Sequence, residues 1–104
     1  MIEAVVDYGK DGKIVSLVIK GHGLAGWGKD LVCAGVSSCF TGAVNALTDN
    51  DHKIKLLAGD SSIYVSPNCS KHDEIVLETL IIQLETIKES YPNEISLKVS
   101  GKEG

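Results

Sequence analysis

The sequence predicts an α+β protein in which a largely antiparallel sheet packs against two helices, in the order ββαββαβ. Two observations carry this prediction. Pairs of short segments alternate apolar residues around turns, and two longer segments between them have the composition and spacing of helices. The chain of 104 residues has the usual size of one domain, so we assign residues 1–104 to a single domain.

The chain begins with the pattern of a β-hairpin. Ile2, Ala4 and Val6 are spaced two residues apart, as on one face of a strand. The Lys-Asp-Gly-Lys sequence at 10–13 then supplies turn chemistry before a second strand. The side chains expected on the inner face of that second strand are Val15, Leu17 and Ile19.

A second hairpin and a final strand are predicted further along the chain. The hairpin has strands at 54–58 and 62–66 around the Gly-Asp-Ser turn at 59–61. Its expected inward side chains are Ile54, Leu56, Ile63 and Val65. After Pro92, a final strand is predicted from the alternation of Ile95, Leu97 and Val99.

The first helix is predicted from Leu31 to Leu47, a stretch without a charged residue. A helix this apolar is expected to be buried. Asp30 is a natural N-cap, because its carboxylate can accept hydrogen bonds from the N–H groups of the first helical turn. The polar run at 49–51 marks the end of this helix.

The second helix is predicted from His72 to Ser90. Ser70 and Asp73 have the spacing of a capping box, although with the shorter acid. The expected core-facing residues are Val76, Leu77, Leu80, Ile81, Leu84 and Ile87. Ile75 and Ile82 lie nearly opposite this stripe, where no core is available to them.

Chemically active residues are concentrated where a glycine-rich loop meets the first helix. The expected hinges of this loop are Gly23, Gly26 and Gly28. With Asp30 as the N-cap, Cys33 is the third helical residue, near the positive end of the helix dipole, which favours a thiolate. His22 can reach that sulfur across the flexible loop. A Cys–His pair is the minimum apparatus for covalent acyl transfer.

These residues also have simpler explanations. Cys33 could be only a small apolar side chain in a buried helix. Asp30 could cap the helix or orient His22, and capping is the simpler duty. Ser37, one helical turn after Cys33 on the same face, could support the nucleophile or bond its own backbone.

The other two cysteines do not predict a site. An odd number of cysteines without an export signal favours reduced thiols. Cys39 lies near the opposite side of the helix from Cys33, where packing explains it. Cys69 and His72 form a C-x-x-H fragment that lacks the further ligands of a zinc site. We therefore expect neither a metal nor a cofactor.

Charge and hydropathy exclude several classes of partner. The formal net charge is -4 and all basic residues are lysines, which disfavours nucleic acid and favours a basic protein segment. No apolar run approaches the roughly 18 residues that cross a bilayer, so we expect no membrane association. The amino terminus lacks the basic start of a signal peptide, which predicts a cytoplasmic protein.

The combined sequence Gly21-His22 and Gly28-Lys29-Asp30-Leu31-Val32-Cys33-Ala34-Gly35-Val36-Ser37 resembles the motif of the ribosomal-processing cysteine protease (Prp) family. The resemblance extends over the whole chain. It implies that His22 and Cys33 are the catalytic pair, and that Asp30 and Ser37 match the motif beside them. It also implies a cytoplasmic homodimer that removes the amino-terminal extension of ribosomal large-subunit protein twenty-seven.

The function expected from the sequence is therefore that of a cysteine endopeptidase acting on a precursor ribosomal protein. In that reaction Cys33 attacks a backbone carbonyl and His22 transfers protons. A non-catalytic, ribosome-associated binding module is the alternative from another class. A third hypothesis, a redox-sensing thiol at Cys33, needs a resolving cysteine within reach.

Overall fold

The computed structural model describes residues 1–21 and 31–101. Their elements, in chain order, are β1 (Ile2–Tyr8), β2 (Ile14–Lys20), α1 (Leu31–Ala46), β3 (Lys53–Leu57), β4 (Asp60–Tyr64), α2 (Lys71–Ser90) and β5 (Ile95–Ser100). The predicted ββαββαβ order is confirmed.

The five strands form one sheet in the order β3-β4-β2-β1-β5. β1 pairs antiparallel with β2, β2 with β4, and β4 with β3, whereas β1 and β5 are parallel. The predicted largely antiparallel sheet is therefore confirmed. β3 and β5 are its edge strands.

Burial along the sheet falls from its centre toward its edges. Strand pairing places one apolar row across it, in the order Ile54, Ile63, Leu17, Val6 and Val99. The three central members are fully buried, at 0 % exposure. At the two edges Ile54 is 41 % and Val99 48 % exposed. The helix-facing side is thus open on β3 and at the Val99 end of β5, whereas Ile95 at the other end of β5 is buried.

The second hairpin is confirmed, but two of its predicted inward residues are not buried. Its strands begin one and two residues earlier than predicted, and its turn contains Gly59 at φ +73°, a conformation that favours glycine. Ile63 is buried and Val65 is half-buried, as predicted. Ile54 and Leu56 are exposed, because β3 is an edge strand beyond the reach of the helices.

The prediction for Val15 is also wrong, because β2 contains an irregularity. Asp7 pairs with Ser16 while the next residue, Tyr8, pairs with Ile14, so Val15 is the extra residue of a bulge. Ile14 takes the inward position and is 6 % exposed, whereas Val15 is 48 % exposed. Leu17 and Ile19 are buried as predicted.

Each helix buries one stripe. In α1 the buried residues are Val32, Val36, Phe40 and Ala43, so the prediction of a wholly buried helix is wrong. α1 packs against α2, and its other face, with Ala34, Ser38 and Gly42, is exposed. In α2 the predicted stripe is confirmed, with Leu77, Leu80, Ile81 and Leu84 buried and Val76 and Ile87 half-buried.

The buried apolar side chains of the strands and both helices form one cluster. Ile75 and Ile82 are excluded from it and are exposed, as predicted. No helix in the described part of the chain is long and apolar enough to cross a membrane.

Candidate active site

Cys33 is the third residue of α1, as the sequence predicts. The first backbone N–H groups of a helix have no partner within the helix, and together with the helix dipole they favour negative charge beside them. Cys33 is half-buried and packs against the core on one side. It therefore combines a helix N-terminus with partial exposure, which is the environment of reactive thiols.

The Cys33 side chain lines a cavity of about 270 Å³, here called the Cys33 cleft. One wall is a stripe of α1 at i, i+4 and i+8, formed by Cys33, Ser37 and Thr41. The facing wall comes from the sheet and includes Ile19, Ser61 and Leu56, which pair across β2, β4 and β3. The cleft is thus a trough between α1 and the uncovered edge of the sheet.

One end of the cleft is fixed by a contact between β2 and the β3–β4 turn. The Gly21 N–H donates to the Gly59 carbonyl oxygen at 3.0 Å, and both glycines line the cleft. A Cβ on Gly21 would lie 2.2 Å from the Met1 carbonyl oxygen, so a larger residue does not fit there. His22 follows Gly21 directly in the sequence.

Several predicted site residues lie outside the described residues. They are His22, Gly23, Gly26, Gly28 and Asp30. Among the described ones, the structure brings Cys33 and Ser37 together on one wall of the cleft. Ser37 is exposed, in a position to meet a molecule bound there.

The other two cysteines lie in less reactive surroundings. Cys39 is half-buried and packs against the core, but it lies in the middle of α1 and does not line the Cys33 cleft. Burial, followed by the negative charges of Asp49, Asp73 and Glu74, raises the pKa of Cys69 to about 11. The Cys69 side chain therefore remains a neutral thiol at physiological pH.

Sequence reasoning missed a buried polar cluster at the start of α2, here called the Asp73 cluster. The Asp73 carboxylate is 0 % exposed. It accepts hydrogen bonds from the N–H groups of Thr48 and Asp49, from the Thr48 hydroxyl, and from the rings of His52 and His72, at 2.8–3.0 Å. The cluster ties the end of α1 to the start of α2.

The capping box predicted for α2 is only half present. The Ser70 hydroxyl accepts from the Asp73 N–H at 3.2 Å, as predicted. The reciprocal bond goes elsewhere, because the Ser70 N–H donates to the Asp49 carboxylate at 2.8 Å. The Asp73 side chain is too short to reach the Ser70 N–H. Its carboxylate instead accepts hydrogen bonds from the donors of the Asp73 cluster. Nothing in the spacing of Ser70 and Asp73 distinguishes these two arrangements.

Asp73 is held ionised by these contacts. Burial alone would raise its pKa, but the hydrogen bonds from His72, from the Asp49 and Thr48 backbone and from His52 outweigh burial and hold its pKa well below the usual range. The cluster therefore contains a buried negative charge that depends on its donors.

Asp49, His52 and Cys69 also place potential metal-ligand atoms within 4.8 Å of one another. However, His52 Nδ1 lies 2.9 Å from the Ser66 N–H, which can only donate. The proton of a neutral His52 ring is therefore on Nε2, which points to Asp73 at 3.0 Å. No ring lone pair remains for a metal, and we interpret these residues as part of the hydrogen-bonded cluster.

The family model of the cysteine protease Prp matches residues 1–96. The ribosomal processing cysteine protease Prp of Staphylococcus aureus is 31 % identical over 103 residues, covering 93 % of this chain and 97 % of its own. The Bacillus subtilis protein of the same name is 32 % identical over 105 residues, covering 91 % and 94 %.

Solved structures of the ribosomal processing protease Prp from S. aureus have the same fold. Its complex with a covalently linked product peptide has a TM-score of 0.88 at 30 % identity and covers 95 % of this chain and 99 % of that one. Its complex with a substrate peptide has a TM-score of 0.85 at 28 % identity, with the same coverage. The match over nearly the whole chain shows that this protein belongs to the Prp family of cysteine proteases.

Proposed function

We propose that this cysteine protease processes a ribosomal protein, by removing the amino-terminal extension of large-subunit protein twenty-seven. The observation that carries the proposal is the placement of Cys33 at the N-terminus of α1, where it opens into a cleft beside the sheet. The relatives described as ribosomal processing proteases support the class of substrate. Because ribosomes are assembled in the cytoplasm, we propose that the reaction takes place there.

In the proposed reaction the Cys33 thiolate attacks the carbonyl carbon of the scissile peptide bond. A C–S bond forms and the carbonyl oxygen becomes an oxyanion, which N–H groups of the first turn of α1 can stabilise. The His22 imidazolium then donates its proton to the amine nitrogen as the C–N bond breaks. Water hydrolyses the resulting thioester to a carboxylic acid and restores the Cys33 thiol.

The remaining motif residues have supporting roles in this proposal. Asp30 caps α1 or orients His22, and Ser37 offers a hydroxyl on the cleft wall beside Cys33. Gly23, Gly26 and Gly28 provide the hinges with which the segment between His22 and Cys33 closes over a bound substrate. Closure would exclude water during thioester formation.

We also propose that the protein is a homodimer. Ile75 and Ile82 are 56 % and 60 % exposed on α2 and border a groove that Ile14 and Glu78 also line. A two-fold contact would let these isoleucines meet their own copies. The cost of exposing both side chains to water favours such a contact.

Incubation of the precursor ribosomal protein with wild-type enzyme, Cys33→Ala and Cys39→Ala tests the activity. We expect single-site cleavage by the wild type and by Cys39→Ala, the matched cysteine in the same helix, and none by Cys33→Ala. Mass spectrometry of the new amino terminus identifies the cleaved bond. Cleavage by Cys33→Ala at the wild-type rate would eliminate Cys33 as nucleophile, whereas an intact precursor with wild-type enzyme would eliminate this substrate.

The non-catalytic binding module considered from the sequence is not favoured. The chain belongs to a protease family, and Cys33 lies in a cleft rather than in a closed core. The redox hypothesis lacks support among the described residues, because Cys39 and Cys69 pack against the core rather than lining the Cys33 cleft.

A further inference from the structure

The helix-facing side of β3 carries two apolar side chains that the fold leaves uncovered. Ile54 is 41 % and Leu56 is 50 % exposed. Ile54 pairs with Ile63 and lies in the row whose central members are fully buried beneath the helices. Leu56 pairs with Ser61 and is two residues along the same face. We call Ile54 and Leu56 together the β3 strip.

The β3 strip is continuous with the Cys33 cleft. Leu56 lines the cleft together with Cys33 and Ser61. Residues 47–52 connect the end of α1 to the start of β3, so β3 returns toward the amino end of α1, where Cys33 lies. A path from Cys33 along this strand therefore meets Leu56 first and Ile54 second.

We propose that the β3 strip determines substrate specificity, by binding two apolar side chains of the extended substrate peptide on one side of the scissile bond. This inference rests on the proposed protease function of the Cys33 cleft. Residues two apart on a strand are about 7 Å apart, which is also the spacing of alternate side chains in an extended peptide. The two recognised residues therefore occupy positions i and i+2 of the substrate, and the residue between them faces away.

The length of the trough fits this occupant. The α1 wall from Cys33 to Thr41 spans eight residues, or about 12 Å at 1.5 Å per residue. An extended peptide covers that distance with about four residues. The recognised pair accordingly lies within about four residues of the cleaved bond.

A second copy of the chain is a weaker candidate for this surface. A stable dimer buries about 800 Å² on each partner, far more than two half-exposed side chains offer. Lys53 and Lys55 flank Ile54, face the opposite side of the sheet and add no apolar area to the strip. Leu57, the remaining exposed apolar residue of β3, lines the Cys33 cleft itself. A peptide, held in place also by the cleft, needs only these two contacts.

The test compares Ile54→Lys and Leu56→Lys with Val99→Lys as the matched control. Val99 lies in the same cross-sheet row as Ile54 and has a similar exposure, but it is on the opposite edge strand. We expect each β3 variant to lower kcat/KM for the precursor peptide about tenfold, through loss of one apolar contact. Val99→Lys should retain the wild-type kcat/KM. Leu56→Met, which keeps an apolar side chain at this position, should recover the kcat/KM that is lost in Leu56→Lys.

Peptide scanning identifies the substrate side of the contact. Each apolar residue within about four positions of the scissile bond is replaced by serine in turn. Two replacements, at positions i and i+2 of the peptide, should lower kcat/KM for the wild-type enzyme. One of them should cause no further loss of kcat/KM in Ile54→Lys, and the other should cause none in Leu56→Lys. Equal losses from every replacement in wild-type and variant enzymes would overturn the inference.

Binding measured in the Cys33→Ala background separates this inference from the proposed function. Fluorescence anisotropy of a labelled precursor peptide should show weaker binding when Ile54→Lys is added, whether or not the peptide is cleaved. Failure of the wild type to cleave, with strip-dependent binding intact, would count against the function and not against the strip. Two results would overturn the strip as a peptide site: an equal loss in Val99→Lys, or a change of molecular mass on sedimentation of Ile54→Lys that identifies a second copy as the occupant.

Discussion

At the scale of single residues, the three cysteines of this chain share a chemistry but not an environment. Cys33 begins a helix and lines a cleft, Cys39 packs in the same helix against the core, and Cys69 lies among carboxylates that oppose its ionisation. Thiol reactivity follows thiolate character and access. The fold therefore gives three otherwise equivalent side chains different environments, and that of Cys33 favours covalent chemistry.

The first prediction concerns this selection. With iodoacetamide at pH 7, Cys33 should be alkylated at least ~10 times faster than Cys39 or Cys69, because Cys33 lies at a helix N-terminus and opens into a cleft, whereas burial and neighbouring carboxylates oppose the ionisation of Cys69. The alkylation rate of Cys69 should rise only at strongly alkaline pH, since its pKa is raised to about 11. Peptide mapping by mass spectrometry gives the three rates. Equal labelling in the folded protein would contradict the assignment of Cys33.

A second residue-scale prediction concerns Asp73. Its folded-state pKa lies below its unfolded value of about 3.9, so the ionised carboxylate stabilises the fold above that pH and its contribution is lost as pH falls below about 4. Asp73→Asn should lower the free energy of unfolding at pH 7 by about 3 kcal/mol, because an amide NH₂ faces donors. Urea unfolding between pH 7 and pH 3 measures both effects.

The control for Asp73 is Glu89→Gln, which removes a carboxylate from the exposed side of the same helix. It should change stability by less than about 0.5 kcal/mol. The stability of Asp73→Asn should also depend less on pH below pH 4 than that of the wild type. If the free energy of unfolding had the same pH dependence in Asp73→Asn as in the wild type, another carboxylate would be responsible for the loss of stability at low pH.

At the scale of elements, hydrophobic spacing predicts the strands and helices but not how far the helices extend over the sheet. The burial of Leu77, Leu80 and Leu84 can be predicted from the sequence alone, because their helical spacing places them on one face of α2. Ile54 has the same spacing in its strand as a core residue, and only the strand order reveals that it is at an edge. The bulge at Val15 is equally invisible, because it depends on the register of the partner strand.

In the candidate site, too, local features can be predicted from the sequence, whereas features that depend on distant segments cannot. The position of Cys33 in its helix depends on local capping and composition, which the sequence contains. The wall opposite Cys33 includes Ile19 of β2 together with Leu56 and Ser61, which follow Cys33 by more than twenty residues, and no local pattern identifies them. The Asp73 cluster is equally hard to predict, because it joins the α1–β3 connection to the start of α2, about twenty residues further along the chain.

The third prediction belongs to the α1 N-terminus and separates the two roles of Asp30. Asp30→Asn retains a capping oxygen and removes the charge, whereas Asp30→Ala removes both and should cost about 1 kcal/mol of stability. If Asp30 only caps the helix, Asp30→Asn should be as active as the wild type, and Asp30→Ala should be active but less stable. Activity lost in Asp30→Asn at unchanged melting temperature would assign the carboxylate to the orientation of His22.

At the scale of the whole molecule, the open apolar surfaces include the β3 strip, the β5 edge around Val99, and the outer side of α2. The first continues into the Cys33 cleft, which points to a peptide. The α2 surface lies opposite the core stripe of its own helix and carries Ile75 and Ile82 among acidic residues. Substrate and partner copy would thus use different parts of the same fold.

The last prediction tests that separation through the proposed homodimer. Ile75→Lys combined with Ile82→Lys should convert the protein to a monomer, because each substitution is repeated across a two-fold axis and places four charges in one apolar contact. Tyr64→Lys, at a similarly exposed aromatic residue on β4, should leave the dimer intact. Analytical ultracentrifugation gives the mass of each variant, and circular dichroism shows whether each is folded. A wild-type monomer, or a double variant that remains dimeric, would remove α2 as the interface and leave its exposed isoleucines without a partner surface.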